Sequence, residues 1–264
     1  MTGSPSTAWT SPHKTRKPRA RNAPPAPGSM VRTQKPVKNS EIVYGDLRRA
    51  IIAMEMAPGT PIVERDLTER YGISRTPLRE AVLRLAEERL VDVVPKSGTY
   101  VARIPVSVLR EGIVARRALE EVTVRAATRR ASESQIMSLR AIIQRQKEVA
   151  DAGDEEAFHR ADEDFHSGIA AAASFPGIWD MILQMRVHVE RYRRLTLPQP
   201  GRMRLVVGEH AAVLDSIAEG KADAAVARMK EHLDKLTLDI AVFRDLWPDY
   251  FIYDVSLDAP LNLD

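Results

Sequence analysis

The sequence predicts a mainly α protein in two parts: three helices closed by a β-hairpin, then an antiparallel bundle of longer helices. Three observations carry that reading. Apolar residues recur at helical spacing through most of residues 40–246. Residues 90–103 instead alternate at strand spacing around a Pro-Lys-Ser-Gly turn. Aromatic residues make up only 5% of the chain, while Ala, Leu, Arg and Glu, all good helix formers, dominate.

The elements follow in order. Residues 1–38 are rich in Pro, Ser, Thr, Lys and Arg, bury little, and are expected to be a disordered basic tail. Such a tail is either a solvated extension or an arm that adds attraction to nucleic-acid phosphates. Ser40 is placed to cap a first helix carrying Ile42, Val43, Leu47, Ile51 and Ile52, which Ala57-Pro58-Gly59-Thr60 ends. A short second helix fits Glu64 to Tyr71, with Gly72 at a left-handed C-cap. Ser74 caps a third helix from Arg75 to about Arg89, and Pro77 is tolerated in its first turn. The runs Leu90–Val94 and Thr99–Arg103 then form the hairpin.

Beyond Val106 six helices are expected, at about 106–130, 134–152, 154–173, 176–195, 202–219 and 221–246. Their apolar stripes and charged outer faces suit an antiparallel bundle. The organisation expected is therefore a tail (1–38), a helix–hairpin unit (39–104), a helical domain (105–246) and a C-terminal tail (247–264) without assigned structure.

Several classes of function are excluded at once. With no cysteine there is no disulfide scaffold, cysteine nucleophile or cysteine-bound metal. No apolar run approaches the length of a membrane span, and no secretory signal is evident, so a cytoplasmic setting without a membrane partner is the expectation. The net charge of +3 is unevenly spread. Residues 1–38 hold eight bases and no acid, which leaves 31 bases against 36 acids for the rest.

Helix, helix, tight turn, helix and hairpin is the order of a winged helix-turn-helix. Arg75, Thr76 and Arg79 fall at the amino end of the third helix, where a recognition helix presents side chains to base edges. Arginine suits that task because its fork matches two acceptors of guanine. Arg65 would lie beside the backbone, and Lys96, Ser97 and Gly98 would form the wing tip. The plainer reading is an ordinary solvated face, since residues 39–104 carry ten bases and ten acids.

Here a resemblance enters. Pro58-Gly59-Thr60, Glu64-Arg65-Asp66-Leu67-Thr68-Glu69, Gly72-Ile73-Ser74-Arg75-Thr76-Pro77-Leu78-Arg79-Glu80-Ala81 and Gly98-Thr99-Tyr100-Val101 together resemble the signature of GntR-family bacterial transcription regulators. The resemblance implies that Arg65, Arg75 and Arg79 contact double-stranded operator DNA, with Ser74, Thr76 and Gly98 in the same interface. It also implies a homodimer on a short palindrome. In one departure, Glu87-Glu88-Arg89-Leu90 lacks the glycine common before the wing, which should alter a helix cap rather than DNA reading.

The helical region holds His159, His166, His188, His210 and His232. Asp162 and His166 share a helix face one turn apart. His210 and His232 are equidistant from the break at Gly220-Lys221, so an antiparallel hairpin brings the two imidazoles level. Three histidines and one carboxylate make a nitrogen/oxygen site suited to a divalent transition metal, zinc foremost, with nickel, cobalt or manganese possible. His159, seven residues before His166, could take its place, and His188 reads as structural or pocket-lining. The plain alternative is a set of surface or satisfied core histidines.

Arg116-Arg117-Ala118-Leu119-Glu120, Asp162-Glu163-Asp164-Phe165-His166, Gly208-Glu209-His210 and Met229-Lys230-Glu231-His232-Leu233 resemble the effector (FCD) domain of the FadR subfamily, in its shorter six-helix, VanR-like form. That resemblance implies Asp162, His166, His210 and His232 as metal ligands and a small carboxylate effector held beside the ion. Arg116 matches a pocket arginine, although a salt bridge to Glu120 is an equal reading of the same residue. Phe175 stands where an asparagine is frequent before Pro176, so the effector need not be a common hydroxy- or keto-acid.

The expected function is a DNA-binding transcription regulator, a repressor controlled by that effector, and not an enzyme. The alternatives are a DNA-binding protein with a purely structural metal, or a metal-dependent hydrolase or lyase in which Glu209 or Glu231 serves as base.

Overall fold

The computed structural model describes residues 38–256, and the expected basic tail lies outside them. The chain opens with α1 (Asn39–Ile52), α2 (Glu64–Tyr71) and α3 (Arg75–Glu87), followed by the antiparallel pair β1 (Val91–Val94) and β2 (Gly98–Val101). Lys38 rather than Ser40 precedes the first helical residue, and Ser40 is buried inside that turn. Val43, Leu47 and Ile51 form one stripe of α1, packed on Leu78, Ala81, Val82 and Leu85 of α3 and on Leu90, Val91 and Val101 of the wing. Ile42 points outward, 47% exposed. The segment after α1 returns to the wing, where Gly59 N–H donates to Val101 and Ile62 N–H to Thr99.

Both ends of the reading motif have legible caps. Gly72 adopts φ 61° after α2, with Ile73 N–H bonded back to Thr68. After α3 the same left-handed position is taken by Arg89 at φ 57°. Arg89 N–H reaches Ala86 and Leu90 N–H reaches Leu85, the two bonds of a Schellman turn, with Leu90 buried against the core. The missing glycine therefore alters a cap, as its absence from the sequence implies. Because the exposed Arg89 side chain gains little there, Arg89→Gly is expected to raise unfolding free energy by about 1 kcal/mol. A thermal melt showing no rise would contradict that.

The linker strand β3 (Ile104–Pro105) leads into α4 (Val106–Arg130), the longest helix. Then come α5 (Glu133–Ala152), α6 (Glu155–Ala172), α7 (Pro176–Met185), α8 (Val187–Thr196), α9 (Arg202–Ala218), α10 (Ala222–Leu238) and α11 (Ile240–Leu246). Left-handed Gly153 and Gly220 turn the chain between α5 and α6 and between α9 and α10. One apolar core, including Leu109, Ile113, Val124, Phe165, Ile169, Val213, Leu214, Met229 and Leu233, runs through the domain.

Two expected helices are broken, so from Val106 onward eight α-helices stand among the described residues where six are expected. Residues 176–195 divide at Arg186, where no glycine or proline marks the change. Arg186 is buried, pairs with Glu163 and Glu190, and lies over the Trp179 ring at 4.9 Å. Residues 221–246 divide at Asp239, which pairs with Arg202 at 2.9 Å. The C-terminal tail is also not free in its described part. A 3₁₀ turn (Pro248–Tyr250) leads to β4 (Phe251–Ile252), which pairs in parallel with β3 and buries Phe251 in the domain core. Asp254 then accepts from Ser107 N–H at 3.0 Å and from its hydroxyl, capping an α4 start that has no side-chain cap of its own.

Candidate metal centre and nucleic-acid interface

The six residues expected to meet DNA all belong to the first unit and are all exposed: Arg65 on α2, Ser74, Arg75, Thr76 and Arg79 at the start of α3, and Gly98 in the wing. Ser74 is the N-cap residue of α3 but makes no side-chain capping bond, which leaves its hydroxyl to other partners. Arg79 lies 3.5 Å from Glu64 and Arg65 3.4 Å from Asp66, ion pairs too exposed to hold either guanidinium firmly. At the wing tip Ser97 N–H donates to Val94, with Lys96 at φ 64° and Gly98 at φ 144°.

Deep in the second unit, α6, α9 and α10 bring His166, His210 and His232 together, with one donor atom of each within 4.8 Å of the others. The equidistance of His210 and His232 from the Gly220 turn has its expected result, since their Nε2 atoms are 3.3 Å apart. Two nitrogens bound to one ion at about 2.1 Å sit roughly 3.0–3.4 Å from each other, so this spacing fits a shared metal. Asp162 Oδ2 is 3.8 Å from His166 Nε2, and its Oδ1 is 3.8 Å from His210 Nε2.

What orients the rings is as informative as the rings themselves. His166 Nδ1 lies 2.5 Å from Glu120 Oε2, and His232 Nδ1 lies 2.6 Å from Glu209 Oε2. His210 Nδ1 lies 2.9 Å from Gln146 Oε1, and the Gln146 amide is itself fixed by donating to the Ala161 carbonyl at 2.9 Å. Each Nδ1 thus has an acceptor outside the cluster, which leaves each Nε2 lone pair directed inward. His166 Nε2 and Asp162 Oδ1 are buried without a hydrogen-bond partner. Burial pushes His166 down to about 4 and His210 well below its ordinary value, so these two imidazoles stay neutral, the form that binds metal. Burial opposes charge on Asp162, but the Arg193 guanidinium holds it ionised, well below the usual carboxylate range. Three inward nitrogens fit a divalent transition metal, and Asp162, whose oxygens lie 3.8 Å from two of them, stands beside that group rather than within it.

Arg116, buried on α4, donates through Nε to Glu120 at 2.5 Å, so the salt-bridge reading of this residue is realised. Its Nη2 nevertheless has no partner, and one buried donor remains. His159 does not substitute for His166. Its Nδ1 sits 3.1 Å from Glu190, away from the cluster. His188 is buried beside Arg191, and burial together with Arg191 pushes it down to about 4. Phe175 lies 37% exposed under the Arg130 guanidinium, in the turn before α7. Glu209, which the enzymatic alternative needs as a base, is committed to His232 and Lys235, and Glu231 is 74% exposed. A groove of about 340 Å³ reaches His232 from outside between Arg204, Gly208, Arg228 and Lys235.

Sequence reasoning had no role for Gln146, Glu120 or Arg193 beside the cluster. Glu120 enters the sequence reading only as an i+4 partner of Arg116, and Gln146 does not enter it at all. Nothing local marks Arg193, whose Nη2 lies 2.7 Å from Asp162 Oδ2.

Comparison with known proteins agrees with this layout. The family model described as bacterial regulatory proteins, gntR family, matches residues 39–101, and the FCD domain model matches residues 111–235. An HTH-type transcriptional regulator in an unstable DNA locus of Streptomyces ambofaciens is 30% identical over 220 residues, 83% of this chain and 92% of that protein. The HTH-type transcriptional repressor RspR of Escherichia coli is 28% identical over 209 residues, 79% of this chain and 92% of that one. The solved structure of E. coli McbR/YncC superposes with a TM-score of 0.63 at 21% identity, covering 80% of this chain and 99% of that one, and so supports the fold.

Proposed function

Because the chain belongs to the GntR family of bacterial regulatory proteins and carries an FCD domain behind its DNA-binding unit, we propose that it is a metal-containing, effector-controlled repressor. Regulation of transcription, rather than an enzymatic reaction, is what its domains and relatives have in common. The finer reading has four parts: a homodimer, a palindromic operator, a divalent metal such as zinc on Asp162, His166, His210 and His232, and a small carboxylate effector. The observation that carries it is the inward set of Nε2 atoms, each ring held from behind by Glu120, Gln146 or Glu209.

The bound ion would supply a positive centre with coordination positions left for a ligand oxygen. Arg116 would offer its unpartnered Nη2 to the same carboxylate, a charge-assisted bond. The outer groove that would admit the effector carries charges of both signs, Arg204, Arg228 and Lys235 against Glu209 and Glu231. On the DNA side, Arg75 and Arg79 would read base edges while Arg65, Ser74, Thr76 and Gly98 position the unit. A dimer must meet two half-sites at fixed separation, so a small change in the placement of its reading heads lowers affinity without altering α3. The effector shifts that equilibrium only as far as it prefers one arrangement.

Protein purified without chelator is expected to carry about one divalent metal ion per chain by elemental analysis. A panel of small carboxylic acids, screened against that protein, should contain members that raise the melting temperature and release DNA. Metal-free protein with an unaltered melting curve on zinc addition would defeat the metal reading. Operator binding unmoved by every acid that stabilises the protein would defeat the effector reading.

A further inference from the structure

The helix α8 is only ten residues long, yet its residues touch both halves of the molecule. On one side Arg193 Nη2 lies 2.7 Å from Asp162 Oδ2, and Arg193 Nη1 lies 3.4 Å from Glu190, which in turn meets His159 and Arg186. On the other side Val187 is part of the apolar core of the DNA-binding unit. Four residues on, Arg191 Nη2 donates to the Ala102 carbonyl at 2.6 Å.

Ala102 is a node. Its N–H donates to Leu90 at the root of the wing, and it lies between β2 and β3, where the DNA-binding unit becomes the helical domain. Arg191 is itself unusual. It is fully buried, and among the described residues no carboxylate lies within ion-pair distance of it. Its Nε has no hydrogen-bond partner, and its other contact is His188 Nδ1 at 3.5 Å. A buried cation held by a carbonyl and an imidazole ring, with the charge of Asp92 favouring it but in no ion pair with it, is costly to keep.

We propose that α8 links the histidine cluster mechanically to the DNA-reading unit, Arg193 orienting Asp162 on one face while Arg191 holds the Ala102 carbonyl on the other. This rests on the metal reading above. Asp162 gives Oδ2 to Arg193 while its Oδ1 faces His210, so an ion drawing on that carboxylate changes the hold on Arg193. Arg193 and Arg191 are two residues apart in one helix, and a displacement of one is a displacement of the other. Gly112 of α4 lets the helix sit close, since a Cβ there would come within 3.0 Å of Val189. Arg193 is accordingly a positioning residue for the metal, and Arg191 is a positioning residue for the wing.

The test uses the full chain, Zn²⁺ as the metal, and a duplex enriched from a random library by the wild-type protein. DNA affinity is measured zinc-loaded and after chelation, and zinc affinity is measured separately by competition with a chromophoric chelator. Wild type is expected to show at least about a fivefold difference in DNA affinity between the two states, in either direction. Arg193→Met should bind zinc roughly 10–100-fold more weakly. Arg191→Met should bind zinc within about twofold of wild type but lose the zinc dependence of DNA binding, and Arg191→Lys, which keeps a donor, should restore it. If Arg191→Met does not fold, Val187→Ala on the same face should lower the zinc dependence instead.

An Arg191→Met protein that keeps the wild-type ratio overturns the link and leaves the metal reading standing. A wild-type protein that holds zinc yet binds DNA equally in both states overturns it as well. Wild type that takes up no zinc removes the reading on which the link was built.

Discussion

Alanine at both His210 and His232 is expected to abolish metal uptake while the DNA-binding unit stays folded. Zinc binding by a four-ligand site amounts to about 10–16 kcal/mol, roughly 3 kcal/mol per ligand, so losing two ligands should weaken it on the order of 10⁴-fold. His166 and Asp162, one turn apart on α6, would remain as a pair too weak to compete with buffer. The metal-free protein should also change. Both rings are buried, and Gln146 and Glu209 each lose a partner, although Glu209 keeps Lys235 at 2.7 Å. A loss of about 2 kcal/mol of apoprotein stability follows from the vacated volume and the unpaired amide. Elemental analysis and paired melting curves with and without zinc decide the matter: metal content equal to that of wild type would refute the assignment.

The second large effect concerns DNA. Arg75→Ala with Arg79→Ala should eliminate selective binding without disturbing the fold, because both side chains are exposed at the start of α3 and the α3 core residues lie on its other face. A bidentate arginine–guanine pair discriminates by about 1–3 kcal/mol, and the proposed dimer would lose each pair twice. The combined loss therefore reaches the level at which specific and non-specific binding converge. Glu64, 3.5 Å from Arg79, is too weak a competitor to change that expectation. Gel shifts against an enriched duplex and a scrambled one supply the comparison, and retained preference for the enriched duplex by the double variant would show that α3 does not read the site.

Much of the molecule could be read from local rules. Gly72, Gly153 and Gly220 stand where left-handed caps are needed, and the chain turns at each. The approach of His210 and His232 followed from counting residues to the Gly220 break, because an antiparallel hairpin makes equal counts into equal heights. The breaks at Arg186 and Asp239 had no such marker. Both residues tolerate a helix, and the divisions coincide with ion pairs to partners from other elements. The same holds for the ligand-orienting groups. Glu120, Gln146 and Arg193 come from three different helices, and their nearness to Asp162 or a histidine ring exists only once the bundle has closed. Sequence spacing reveals pairs within an element or across one tight turn, and these contacts are neither.

The strand that returns to Ile104–Pro105 has a consequence for biosynthesis. The DNA-reading unit leaves the ribosome before the helical domain, and its apolar core is complete once Val187 of α8 has joined it. The start of α4 must wait for Asp254, 147 residues later, to receive its capping acceptor. The hinge region between the reading head and the cage is therefore the last part of the described chain to be finished, and a nascent or C-terminally clipped polypeptide would own a complete head on an unfastened neck.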